Sequence, residues 1–98
     1  MTQQLMPHHK LIGYQLALEL VRLIGSIRIA DAKLREQARK SAVSAALNAA
    51  EGAARWSRAD KSRVFAIAVA EACEAVAAVE IAGALGACGP WRSWPPWR

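Results

Sequence analysis

Aromatic side chains are scarce in this chain, with one Phe, one Tyr and four Trp among 98 residues. Glycine and proline are few as well, and they sit near the ends of segments. Ala, Leu, Val and Ile supply the bulk of the apolar content, and that composition favours helices over sheets. Only two cysteines are present, Cys73 and Cys88, with no CxxC motif and no His-rich neighbourhood. This argues against a zinc site or a disulfide framework and fits reduced thiols in the cytoplasm. The first ten residues lack a charged leader followed by an apolar core and a small-residue cleavage site, so secretion is not expected. A membrane span is not expected either. Residues 64–82 are apolar on almost every side, but Glu71, Glu74 and Glu80 fall within them. On insertion scales each charge costs about 2.5 to 3.5 kcal/mol, and Ala offsets little of it.

Catalytic groups are equally thin. Glu51 and Glu74 could pair as carboxylates and Cys73 could act as a nucleophile, but no His, Asp or Gly-rich loop accompanies them. The expectation is a non-enzyme with no cofactor. His8 and His9 are adjacent, so on a helix they point about 100° apart, and no third ligand stands nearby to complete a metal site.

What remains is enough for one domain with a single core. The formal charge of +5 leans toward an acidic partner such as RNA or DNA, although scattered Lys and Arg also serve solubility alone. Pro7 suits the lead-in to a first helix over about 8–28. On its wheel Gln15, Glu19, Arg22 and Ser26 share a narrow arc, and Leu11, Ile12, Leu16, Leu20, Val21, Leu23, Ile24 and Ile27 occupy most of the rest. So wide an apolar face needs more than one neighbour to cover it.

Asp31 is a good N-cap for a second helix over 31–55. In it Leu34, Ala38, Ala42, Ala45 and Ala49 form a close-packing stripe opposite Glu36, Lys40, Ser44, Asn48 and Glu51. Asn48 and Glu51 read either as polar groups that fix how helices dock or as members of a solvated stripe. Arg35, Arg39 and Lys40 fit ion pairs with Glu36 and neighbouring acids. In the next turn, Ser57 with Asp60 three residues on reads as a capping box that opens a third helix over 57–86. That turn gathers Arg55, Arg58, Lys61 and Arg63 beside Trp56, the best candidate nucleic-acid contact in the folded body. The third helix, apolar nearly all round, reads as a central helix contacted by several others. Gly86 and Gly89-Pro90 end it. Residues 87–98 follow as an extended Trp/Arg/Pro tail, suited either to base stacking or to no role at all.

Over residues 37–86 the order and spacing of residues resemble a bacterial four-helix-bundle family, named after proteins encoded in the intervening sequences of 23S rRNA genes. Gln37, Arg39, Ala42, Ser44, Asn48, Ala50, Glu51 and Gly52 fall on a Q-x-R-R-A-x-x-S-I-x-x-N-I-A-E-G pattern. Arg55 and Ser57 fall on a basic turn, and Glu74, Val79, Glu80, Ile81, Ala82, Leu85 and Gly86 on a closing E-x-x-x-x-L-E-L-A-x-x-L-G pattern. Tyr14, Gln15 and Ala17 also suit the family's first helix. Ala70-Glu71 stands where the family has Gly-Ser, and Lys61 where it has an aromatic.

The resemblance implies an all-α antiparallel helical bundle that assembles as a homo-oligomer, typically a pentamer, without catalytic activity. It also implies a link to a branch that serves diversity-generating retroelements by binding reverse transcriptase and nucleic acid. The family continues into a fourth helix where this sequence carries its tail. The expectation is therefore three long helices, a groove beside the first and third, and a neighbouring copy that fills it. Asn48, Glu51 and Glu74 are expected to be structural polar groups, and replacing Glu51 by Ala to cost about 1 to 3 kcal/mol.

Overall fold

A computed structural model describes residues 6–86. They form three helices with no strand among the described residues: α1 (Ile12–Ser26), α2 (Ala32–Ala54) and α3 (Arg58–Ala84). The tail at 87–98, including Cys88, lies outside the described residues.

Helix α1 is shorter than the 8–28 expected from periodicity. Ahead of it, the backbone N–H of Met6 donates to His9 Nδ1 at 2.9 Å, and His9 N–H returns to the Met6 carbonyl at 3.1 Å. The His8 ring meets His9 and Tyr14 edge-on, with centroids 4.5 and 4.6 Å apart. This closed turn consumes residues 6–10, and Leu11 is extended, so the helix begins only at Ile12. At the other end Ile27 is extended at φ −83°, ψ 136°. Ile27 and Ile29 are both buried while Arg28 between them is exposed. That alternation is what an extended segment does when one of its sides lies on a core.

Helix α2 starts as its cap requires, with Asp31 Oδ1 accepting the Leu34 N–H at 2.9 Å. Its buried side is almost wholly small: Ala38, Ser41, Ala42, Ala45, Ala46, Ala49 and Gly52. Small side chains bring the partner backbone close. At Gly52 a Cβ would stand 2.6 and 2.7 Å from atoms of the Phe65 ring. Helix α3 opens on Ser57, whose Oγ accepts the Asp60 N–H at 3.0 Å. It ends at Gly86, whose φ of 74° is a left-handed stop that glycine adopts without penalty.

The closed core joins Ile24, Ile27 and Ile29 to Ala38 and Ala42 of α2 and to Ala75, Ala78, Val79 and Ala82 of α3. It therefore sits where the end of α1, the first half of α2 and the last half of α3 meet. Helix α1 leans on α2 and barely touches α3, so α2, not α3, is the element with two helical neighbours. The all-round apolar character of α3 that suggested a central position instead leaves Ile67, Val69, Val76 and Ile81 exposed.

Candidate nucleic-acid interface

Two features distinguish the surface: a cationic turn between α2 and α3, and an open apolar groove between α1 and α3.

At the turn, the indole of Trp56 is 98% exposed, as far from a core position as a side chain can stand. The four cations around it are not equivalent. Arg55 pairs with Glu51 one helical turn earlier, and its Nη1 lies 3.9 Å from Asp60. Its Nε is buried without a partner, left over once both terminal nitrogens face carboxylates. Arg63 stands 3.4 Å from Asp60. Lys61 Nζ donates to the Ala53 carbonyl at 2.9 Å, satisfying one of the acceptors left open at the end of α2. Arg58, exposed at the first position of α3, has no such partner among the described residues. The five residues singled out from sequence thus lie on one turn and the start of α3, and half of the cations' charge is compensated by carboxylates. Four cations against Glu51 and Asp60 leave a net of +2 at this corner.

The three polar positions separate in space. Glu74 meets the opposite helix: Gln37 Nε2 donates to Ser41 Oγ at 2.9 Å, and Ser41 Oγ donates to Glu74 Oε2 at 2.8 Å. Ser41 is fully buried, the one polar side chain so placed among the described residues. No periodicity rule singled it out, because a serine among alanines reads as one more small residue. Asn48 instead stays within α2, donating to the Ser44 carbonyl at 2.9 Å and to Ser44 Oγ at 3.2 Å, so these bonds dock no helix. Glu51 is exposed and serves Arg55 on its own helix. An exposed i,i+4 pair is worth about 0.3 to 0.5 kcal/mol, so the cost expected for Glu51→Ala falls well below the earlier figure.

The groove has a volume of about 390 Å3 and is lined by Leu16, Ala17 and Leu20 of α1, Ala45 and Ala49 of α2, and Phe65 and Val69 of α3, among others. Leu16 and Val69 remain 64% and 63% exposed. It opens away from the closed core, between the first half of α1 and the first half of α3. Among the described residues no three His, Cys, Asp or Glu side chains gather in a manner that would hold a metal. No described helix is long and apolar enough to cross a membrane.

Three helices, a core of small residues and a solvent-facing cationic corner define a small all-α protein. Residues 9–90 match the family model described as 23S rRNA-intervening sequence protein. The match covers most of the chain, which therefore belongs to that family. No curated protein matches the chain, and no solved structure does.

Proposed function

We propose that the protein is a non-enzymatic helical scaffold that assembles from several copies and binds nucleic acid, or a partner that handles it, through the corner at Trp56. In this reading the chain contributes an antiparallel three-helix unit to a four-helix-bundle architecture. A neighbouring copy covers the groove between α1 and α3, and five copies in a ring is the arrangement the family likeness favours. The observation that carries the assembly is the exposed apolar wall made by Leu16 and Val69 on helices that hardly touch. Uncovered apolar surface favours association by about 25 cal/mol per Å2.

The nucleic-acid arm rests on Trp56 and Arg58, an exposed ring beside an unengaged cation. It is tested by titrating the protein with mixed-sequence RNA and DNA at about 50 mM salt and again at higher salt. Binding that weakens as salt rises is the expected result, and no detectable binding at low salt overturns it. The engagement of Arg55, Lys61 and Arg63 by groups of the protein itself favours a second reading, a protein-interaction module without a nucleic-acid role. Retention of one protein partner, and of no nucleic acid, in a pull-down with the full chain is the outcome that selects it.

A further inference from the structure

We infer that the Trp56 corner takes an unpaired base, stacking it on the indole with Arg58 on the adjoining phosphate, and does not engage duplex. This rests on the nucleic-acid reading above and narrows it to single strands. The first ground is exposure. An indole that is 98% accessible contributes nothing to the core and presents a full π-face, which suits a splayed base and has no counterpart on a stacked duplex.

The second ground is the fate of the neighbouring charges. A duplex-binding surface relies on many cations free to displace counterions. Here Arg55 is held by Glu51 and Asp60, Arg63 by Asp60, and Lys61 by the Ala53 carbonyl. Among the described residues Arg58 has no ion-pair partner and Lys61 bonds only to a neutral carbonyl, so each corner, with its net +2, neutralises about two phosphates and must gain much of its affinity from stacking. The third ground is rigidity. The Ser57 cap at 3.0 Å and the Lys61 clasp at 2.9 Å fix the chain on the α3 side of Trp56, and the Glu51 pair with Arg55 fixes it on the α2 side. With the backbone held at both sides, the freedom lost when a base settles is confined to the two side-chain torsions of the indole.

The test uses the full chain with Trp91, Trp94 and Trp97 replaced by Phe, so that Trp56 is the sole indole reporter. The probes are a dodecamer of oligo(U) and the same strand paired with oligo(A). Stacking predicts quenching of Trp56 by the single strand and little by the duplex. It also predicts a log–log salt slope of about −1.4 per corner engaged, the value for two phosphates on a single strand. In the otherwise unaltered chain, Trp56→Ala is expected to weaken oligo(U) about 5- to 100-fold with its melting curve unchanged, and Trp56→Phe to recover part of the loss. Single-strand affinity that is insensitive to Trp56→Ala, or equal quenching by the duplex, overturns the inference while leaving the broader nucleic-acid reading intact. Absence of binding by either probe overturns both.

Discussion

Gly52 and Gly25 both lie in helices, in opposite surroundings. A methyl group at Gly52 runs into the Phe65 ring, which lines the groove, whereas one at Gly25 meets nothing within 4 Å. Overpacking costs about 1 to 3 kcal/mol and the gain in helix propensity returns up to about 1. Gly52→Ala is therefore expected to lose about 1 kcal/mol of stability in urea denaturation, and Gly25→Ala to gain about 0.5 kcal/mol. Sequence showed Gly52 only as a letter in a pattern. Its physical reason is a ring on another helix, and no local period reveals which ring that is.

The bond from Ser41 to Glu74 ties α2 to α3 across 33 positions of sequence. Ser41→Ala is expected to cost about 1 kcal/mol of stability, because it removes the buried hydroxyl that links α2 to α3, while Gln37 and Glu74, both exposed, can turn to water. Helix-scale features set by neighbours in sequence were the ones legible beforehand. Asp31 and Ser57 cap α2 and α3 because each places an oxygen three residues ahead of an open N–H, and the Ala38, Ala42, Ala45 and Ala49 stripe is buried because its spacing follows the helical repeat. The start of α1 was not legible, since the turn that displaces it depends on a His9 ring nitrogen accepting a backbone proton. Nor was the arrangement around α3. A helix apolar on every side gives no preferred direction, so its wheel cannot say which flank meets a partner. At the candidate interface the residue types were readable and their pairing was not, because Lys61 and Ala53 meet only once the two helices fold back on each other.

The molecule is closed at one end and open at the other. Its core gathers where Ile24, Ile27 and Ile29 wedge between α2 and α3, and its groove lies where Leu16 and Val69 face each other uncovered. A charge placed in that groove is expected to prevent any neighbour from seating there. If copies meet at the groove, Val69→Lys should shift the mass measured by light scattering toward the single chain and remove the dependence of melting temperature on protein concentration that such assembly would confer. Equal masses for the two proteins would show that the groove is not where copies meet.

Helix α1 rests on α2 along its length, scarcely touches α3, and is buried most deeply at its C-terminal end, where Ile24 enters the core beside Ile27 and Ile29. Amide deuterium uptake in the isolated chain should run as a gradient, fastest near Ile12 and slowest near Ile24, in place of one common rate along the helix. Whatever settles into the open end would flatten that gradient, so exchange along α1 reports when the groove is filled.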